Sequence, residues 1–352
     1  MRREIVIDAA GAETRVAIVE DGRLVELMHE RDDERRMVGD IYLGRVEAVL
    51  PGIQAAFVDL GTEKSAFLHA SDLQEEDDEE DAEHGNSGNG NRRNRKFPPI
   101  QDQLARGQDL LVQVTKESIG TKGPRVTSQI SMPGRFIVFI PGGSNVGVSR
   151  KIGDREERAR LRTLARDALG KKSGGLIVRT VGEELTKKAL QEELSRLRKT
   201  WDKIQRRAKS VKAPAVVHQE AEMTSGLIRD LFSGTVDLLT VNSKELAHQA
   251  KSYLGRVSPE LLDRVTTFDE DRPIFEAFGV EDELQVAFRR RVDLKSGGHI
   301  VIEHTEALVA IDVNTGSYTG RRDPAKTILR TNMDAAAEIA RQLRLRDIGG
   351  II

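Results

Sequence analysis

The stretch TEALVAIDVNTG, residues 305–316, places an apolar strand directly before a polar turn. Side chains alternate between the two faces of a strand, so Asp312 and Asn314 lie on the same face. A carboxylate beside an amide suits a hard cation, because Mg²⁺ binds through one or two carboxylates and keeps several waters. An aspartate at a strand end is also common as a turn or cap residue. The spacing alone leaves both interpretations open.

The residues around this stretch indicate an α/β unit at the end of the sequence. The periodicity predicts these elements: strands at Gln285–Val292, Gly298–His304 and Ala307–Asn314, a helix at Ala325–Leu345 and a new apolar segment from Ile348.

The opening of the chain alternates in the manner of a β-meander. Residues 4–29 predict three antiparallel strands, with Gly11 and Asp21-Gly22 in the turns. Three strands alone bury little apolar surface. Helix and strand patterns alternate again over 218–287, so we expect this later segment to complete the opening sheet. The opening strands and this segment would then form one α/β unit, split by insertions.

Residues 38–128 predict a compact β-barrel. Its expected strands are Ile41–Val49, Ala55–Asp59, Ser65–Leu68 and Leu110–Lys116. Short strands separated by glycine-containing turns suggest an OB fold. Residues 74–97 have no apolar periodicity and begin with an acidic tract, so we expect a disordered insertion there.

Residues 129–212 combine buried strands with amphipathic helices. The expected strands are Phe136–Pro141 and Leu176–Thr180, and a helix is expected between them at Arg155–Ala168. A longer helix at Glu183–Ser210 carries an apolar stripe on one face.

Composition and charge narrow the classes of protein. No apolar run reaches the ~18 residues of a membrane span. The sequence has no cysteine, which excludes disulfides and thiolate metal sites and fits the cytoplasm. The net charge is −2, but acidic and basic residues lie in different segments. Residues 75–83 hold eight acids, whereas basic residues cluster at 92–96, 183–212 and 341–346. RNA binding is therefore permitted.

These segments together resemble the ribonuclease E/G family over essentially the whole chain. The strongest resemblance lies in residues 307–316 and in TNMDAAAEIARQLRLRDIGGII at 331–352. The other matching segments are VID at 6–8, GDIYLGRV at 39–46, residues 51–59, SAFL at 65–68, residues 175–180 and residues 303–314.

The resemblance implies an α+β multidomain fold. A split RNase H-like α/β domain would carry an inserted S1-type OB-fold β-barrel and a 5′-sensor α/β domain, followed by a partial DNase I-like α/β domain. The implied boundaries are 1–37 for the first part of the RNase H-like domain, 38–128 for the OB-fold RNA-binding domain, 129–217 for the 5′ sensor, 218–286 for the second RNase H-like part and 287–352 for an incomplete catalytic domain.

The resemblance also implies roles for individual residues. Asp312 would be the first of two carboxylates that hold catalytic Mg²⁺ or Mn²⁺, and Asn314 would assist in positioning. The implied sensor of a 5′-monophosphate is Gly134, Val138, Arg179 and Thr180, and the implied RNA-binding residues are Phe57, Phe67 and Lys122. Arginine can hold a phosphate dianion with a forked pair of hydrogen bonds, and an exposed phenylalanine can stack on a base.

Other interpretations apply to the same residues without the family. Arg179 is then a solvated charge at a strand end. Phe57 and Phe67 are then core residues, because aromatic side chains on strands are more often buried than exposed. Asp8 follows the first strand, where RNase H folds place a catalytic carboxylate, but the resemblance implies a structural role.

The family pattern has further parts that bear on activity. Its second carboxylate is expected in the strand that starts at 349–352, and its zinc-binding cysteines and dimerising tail are absent from this sequence. We therefore expect this chain to be inactive or weakly active, and we expect a homo-oligomer only of a longer parent.

The expected function is that of a cytoplasmic endoribonuclease. It would cut single-stranded RNA in RNA processing, rRNA processing and mRNA decay, leaving 5′-phosphate and 3′-hydroxyl ends, with RNA degradosome components as candidate partners. One alternative is an RNA-binding fragment without turnover. Another is an actin-like or sugar-kinase-like ATPase, suggested by the opening meander. Such an ATPase would need a glycine-rich phosphate-binding loop, and Gly142-Gly143 is too short to indicate one.

Overall fold

The computed structural model describes most of the chain and divides it into two compact units. The described residues are 1–9, 11–31, 36–73, 98–118, 122–170, 174–183, 185–220, 223–230, 232, 235–316 and 324–352. One unit combines Met1–Arg35 with Met223–Ile352, and the other is Arg36–Glu222. The insertion at 74–97, for which disorder was expected, lies outside the described residues.

The secondary structure alternates short strands with helices of very different length. The strands are β1 (Arg3–Asp8), β2 (Glu13–Glu20), β3 (Arg23–Arg31), β4 (Ile41–Leu50), β5 (Ala55–Asp59), β6 (Ala66–His69), β7 (Asp109–Lys116), β8 (Arg125–Thr127), β9 (Met132–Pro133), β10 (Ile137–Ile140), β11 (Val146–Val148), β12 (Gly175–Val178), β13 (Ala215–His218), β14 (Leu238–Val241), β15 (Val265–Thr267), β16 (Arg291–Asp293), β17 (His299–His304) and β18 (Val309–Asn314). The helices are α1 (Ile100–Gln103), α2 (Arg155–Leu169), α3 (Lys187–Ser210), α4 (Met223–Asp230), α5 (Lys244–Val257), α6 (Ile274–Ala277), α7 (Val280–Ala287) and α8 (Pro324–Leu345).

A five-stranded sheet joins the opening strands to a segment from much later in the chain. Its order is β15-β14-β1-β2-β3, with β1, β2 and β3 antiparallel and β14 and β15 parallel to β1. Alternate residues of β1 enter two cores, because Ile5 and Ile7 pack with Leu254 whereas Val6 packs with Phe275. The expectation that the later segment completes the opening sheet is confirmed.

The second unit contains a closed barrel of five strands. The pairings run β4-β5-β6-β8-β7, and β7 pairs with β4 to close the ring. Small or branched side chains such as Ala56, Val58, Ala66 and Leu68 fill the interior. The closed five-stranded barrel is consistent with the expected OB-like domain.

A four-stranded sheet follows the barrel in the same unit, in the order β11-β12-β10-β9. One face of the sheet carries Ile137, Phe139, Leu176 and Val178, which pack in one core with residues of α2 and α3. The other face of β10 and β12 carries Val138 and Ile177, which are direct cross-strand partners. This second face is partly exposed, and Ile177 is 40% accessible.

The last sheet is the antiparallel meander β16-β17-β18. Ile300, Ile302 and Val309 pack against Ala335 of α8. The apolar segment from Ile348 lies along β18, because the backbone N–H of Val309 donates to the carbonyl of Ile351 at 2.9 Å.

Two expected elements begin or end elsewhere in the structure. The expected strand Gln285–Val292 is wrong in its first half, because residues 285–287 belong to α7, whose Val280, Leu284 and Ala287 enter one core at helical spacing. The long helix begins at Lys187 rather than Glu183, because the side chain of Thr186 caps it by accepting from the N–H of Ala189 at 3.3 Å.

Candidate functional site

The Asp312–Asn314 pair lies on the face of β18 that is turned away from the core. Nδ2 of Asn314 donates to Oδ2 of Asp312 at 2.9 Å, and Asp312 is exposed. Their cross-strand partners on β17 are Val301 and His299. The alternation of β18 thus presents a carboxylate and an amide together, and the hydrogen bond orients the carboxylate.

The donor set of this pair fits a magnesium ion in part. A carboxylate with a neighbouring amide oxygen matches the oxygen ligands that Mg²⁺ takes while it keeps several waters. Among the residues that the structure describes, no group of three or more His, Cys, Asp or Glu side chains could hold a metal ion. Asp312 and Asn314 would therefore supply a minority of the ligands.

The residues expected to sense a 5′ phosphate surround one end of the four-stranded sheet. The guanidinium of Arg179 donates to the carbonyl of Gly134 at 2.9 Å, and Thr180 follows it at the start of a 3₁₀ turn. Val138 is the cross-strand partner of Ile177, and Arg179 lies two residues after Ile177 in extended backbone. Alternation therefore places Arg179 and Val138 on the same face of the sheet.

The sequence analysis missed two residues beside these four. Oγ of Ser149 lies 2.9 Å from Oγ1 of Thr180, which fixes that hydroxyl. Glu193 of α3 is buried and accepts from the backbone N–H of Arg135 at 2.6 Å and of Phe136 at 3.0 Å. Burial raises the pKa of the Glu193 carboxyl, although these two backbone hydrogen bonds act in the opposite direction.

Glu193 also explains why position 134 is a glycine. A β-carbon added at Gly134 would lie 2.7 Å from Oε1 of Glu193 and 3.0 Å from the carbonyl oxygen of Ile137. The signal was present in the sequence, since a charged residue within the apolar stripe of a helix needs a polar partner. Ser149 carries no such signal, because its pairing with Thr180 depends on the sheet.

Phe57 and Phe67 form a pair on the outside of the barrel. They are direct cross-strand partners on β5 and β6, with ring centroids 6.2 Å apart in an edge-to-face arrangement. Phe57 is 37% accessible, and Phe67 is partly exposed. The core interpretation of these rings is wrong, because the interior positions are taken by their small neighbours.

Lys122 lies in the segment that runs beside the start of β6. It is exposed, and the next residue, Gly123, approaches β6 so closely that a β-carbon there would clash with the carbonyl oxygen of Ser65. The N–H of Phe67 donates to the carbonyl of Pro124 at 2.8 Å. The structure therefore brings the Lys122 segment alongside the strand that carries Phe67.

Asp8 has structural partners on both sides. Its carboxylate accepts from Arg15 at 2.6 Å and from Nδ2 of Asn242 at 2.8 Å, and Oδ1 of Asn242 accepts from the N–H of Ala9 at 2.8 Å. These contacts join β1 to the end of β14, which agrees with a structural rather than a catalytic role.

Comparison with known proteins gives consistent matches. A family model described as the ribonuclease E/G family matches residues 131–352. Ribonuclease G of Haemophilus influenzae is 39% identical over 349 residues, covering 99% of this chain and 70% of that protein. Ribonuclease G of Escherichia coli strain K12 is 38% identical over 352 residues, covering 100% of this chain and 70% of that protein. Ribonuclease E of Nostoc sp. is 42% identical over 320 residues, covering 90% of this chain and 44% of that protein.

No helix in the described part of the chain is long and apolar enough to cross a bilayer.

Proposed function

Because this chain belongs to the ribonuclease E/G family, we propose that it is an endoribonuclease that cuts single-stranded RNA in RNA processing and mRNA decay. The relatives named ribonuclease G and ribonuclease E support the endoribonuclease role. The observation that carries the proposal is the hydrogen-bonded Asp312–Asn314 pair on the open face of β18.

Asp312 and Asn314 are proposed as the catalytic residues, with Asp312 as a ligand of Mg²⁺ or Mn²⁺. A bound metal ion would stabilise the negative charge that develops on the phosphate oxygens. The amide of Asn314 holds the Asp312 carboxylate in one orientation through its 2.9 Å hydrogen bond. Orientation of this kind matters because misplaced ligands lower affinity and rate.

The four sheets suggest the family's domain arrangement. We assign the five-stranded sheet to a split RNase H-like domain, the barrel to an S1-type RNA-binding domain, the four-stranded sheet to a 5′ sensor and the β16-β17-β18 meander with α8 to a DNase I-like catalytic domain. The proposed boundaries remain 1–37, 38–128, 129–217, 218–286 and 287–352.

RNA is the proposed substrate at two further sites. Gly134, Val138, Arg179 and Thr180 would bind a 5′-monophosphate, and Phe57, Phe67 and Lys122 would bind the single strand. Val138 and Arg179 share one sheet face, and Phe57 and Phe67 share one barrel face, which supports these roles. A cytoplasmic location and association with other RNA-decay proteins or further copies of the chain are part of the same proposal.

A second candidate is RNA binding without turnover. It is favoured by the donor set at Asp312, since the described residues place no cluster of three metal-binding side chains there.

A single-turnover assay with 5′-monophosphorylated RNA, run with and without Mg²⁺, tests both candidates alongside a binding assay. Metal-dependent cleavage that Asp312→Asn removes and Asp293→Asn retains would support the endoribonuclease. Asp293 is a matched control because it is exposed on β16 and hydrogen-bonded to Arg291. Binding without cleavage would favour the second candidate, and the absence of binding would contradict both.

A further inference from the structure

A basic cleft of about 880 Å³ lies within the Arg36–Glu222 unit, between the barrel and the four-stranded sheet. We propose that this cleft binds the phosphodiester backbone of single-stranded RNA where the strand passes from the Phe57–Phe67 pair to the Arg179–Thr180 site. The inference rests on the proposed function, and it adds a binding site between those two sites.

The charge of the cleft suits a polyanion. Among the described residues that line it, four are arginines, Arg125, Arg150, Arg162 and Arg166, and one is an acid, Asp72. Arg162 and Arg166 are one helical turn apart on α2 and so project from the same face. The described lining residues therefore carry a net positive charge, which attracts phosphate groups irrespective of base sequence.

Asp72 positions one of these arginines at the barrel side of the cleft. Its Oδ2 accepts from Nε of Arg125 at 3.1 Å and from Nη2 at 2.9 Å. Arg125 is the cross-strand partner of Phe67 in the parallel pairing of β8 with β6. The arginine therefore lies beside the exposed ring pair, at the end of the cleft that faces the barrel surface.

The opposite side of the cleft is continuous with the face of the four-stranded sheet that carries Val138 and Arg179. Ile177 lines the cleft and is the direct cross-strand partner of Val138. Ser149 lines it as well, and its hydroxyl contacts that of Thr180 at 2.9 Å. One continuous surface thus joins the two proposed RNA sites.

The lining of the cleft combines apolar and polar residues. Ile140, Ile177 and Gly147 contribute apolar surface beside the four arginines. A nucleotide has the same division, since a base has an apolar face and its phosphate is anionic. The volume also falls within the ~300–1,000 Å³ of sites that enclose small ligands, which leaves room for a short length of strand.

The test is the double variant Arg162→Gln and Arg166→Gln in the full chain. Both positions lie on the helix surface, and glutamine resembles arginine in helix propensity. We expect affinity for a single-stranded RNA to fall about tenfold, equally for 5′-monophosphate and 5′-hydroxyl RNA. The slope of log affinity against log salt should become shallower by about 1.4, which corresponds to two phosphate contacts.

Two controls make the result specific. Lys203→Gln with Arg207→Gln removes another basic pair one turn apart, exposed on α3 and outside the cleft, and should change affinity less than twofold. Arg162→Lys with Arg166→Lys keeps both charges and should recover most of the affinity.

Three outcomes would overturn the proposal: unchanged affinity in the double glutamine variant, an equal loss in the α3 control, or a loss confined to 5′-monophosphate RNA. In each case the proposed function stands if the unmodified chain binds and cuts RNA. A chain that binds no single-stranded RNA would refute both.

Discussion

Arg179 donates to the carbonyl of Gly134, so its guanidinium is held beside the sheet face that carries Val138. We predict that Arg179→Ala lowers the ratio of affinities for 5′-monophosphate and 5′-hydroxyl RNA towards one, because a forked charge-assisted contact to the extra charge is lost. Paired binding titrations of the two RNAs measure that ratio. The control is Arg155→Ala, an exposed arginine of α2. An unchanged ratio in Arg179→Ala would exclude the sensor role.

Phe57 and Phe67 give a second prediction for single residues. The double change Phe57→Ala and Phe67→Ala should weaken single-stranded RNA binding by about 1–3 kcal/mol per stacked base. It should lower the melting temperature only slightly, because both rings lie outside the barrel interior. The comparison is Phe139→Ala, whose ring is 2% accessible and whose loss should destabilise the protein by about 3–5 kcal/mol. Comparable losses of stability in both variants would contradict the exposed placement.

The exposure of these rings shows where sequence reasoning reaches its limit. Alternation in AAFVD and SAFL indicates that each phenylalanine faces away from its neighbours, but not which side is the barrel interior. That choice depends on closure through β7 and β4, which are far apart in sequence. The Asp312–Asn314 pair needed no such information, because both residues lie on one strand.

Among the elements, α3 carries a pH-dependent contribution to stability through Glu193. The pKa of Glu193 is higher in the folded chain than in the unfolded chain. Between these two pKa values the folded chain therefore binds more protons. We predict that the free energy of unfolding, relative to Glu193→Gln, is largest below the usual glutamate pKa and falls as pH rises through the raised pKa. Urea titrations across pH measure this difference.

The control for Glu193 is its exposed neighbour Glu192, changed to glutamine. The prediction would be contradicted if the difference in unfolding free energy between the wild type and Glu193→Gln stayed constant across pH.

Element boundaries were predicted well where periodicity alone decided them and poorly where a cap or a long-range contact decided them. The barrel strands β4, β5, β6 and β7 agree with expectation within a residue. The sequence predicts a strand at residues 285–287 because a short apolar run suits a strand as well as a helix. Only the core that α7 shares with β1 and β2 distinguishes the two states.

Across the Met1–Arg35 and Met223–Ile352 unit, Arg341 of α8 joins three separate elements. It donates to Glu338 at 2.7 Å, to Glu283 of α7 at 2.9 Å and to the carbonyl of Leu24 in β3 at 2.7 Å. Burial acts to raise the pKa of Glu338, but the hydrogen bonds from Arg341 and Gln342 outweigh it and the pKa is lowered. The network fixes the helix beside the candidate catalytic strand to the opening sheet.

We predict that Arg341→Met lowers the free energy of unfolding by about 1.5–3 kcal/mol, because the buried Glu338 loses one of its two arginine partners and keeps only Arg23 and Gln342. The side chains of Arg341 and Glu338 are 11% and 6% accessible. Arg344→Met is the control, since that side chain is 43% accessible and pairs with Glu20 near the surface. Its loss should be below about 1 kcal/mol. Urea unfolding measures the loss of unfolding free energy in each variant. Equal losses in the two variants would show that the buried Arg341 network stabilises the protein no more than a surface ion pair does.

The split five-stranded sheet has a consequence for synthesis on the ribosome. Arg3 and its hydrogen-bond partner Asp237 are 234 residues apart, so β1 emerges from the exit tunnel long before β14 exists. At ~5–20 residues per second, that delay is roughly 10–50 s. The contiguous Arg36–Glu222 unit can fold within it. Meanwhile the nascent β1 has an unpaired edge, which is the feature that neighbouring chains pair with and chaperones protect.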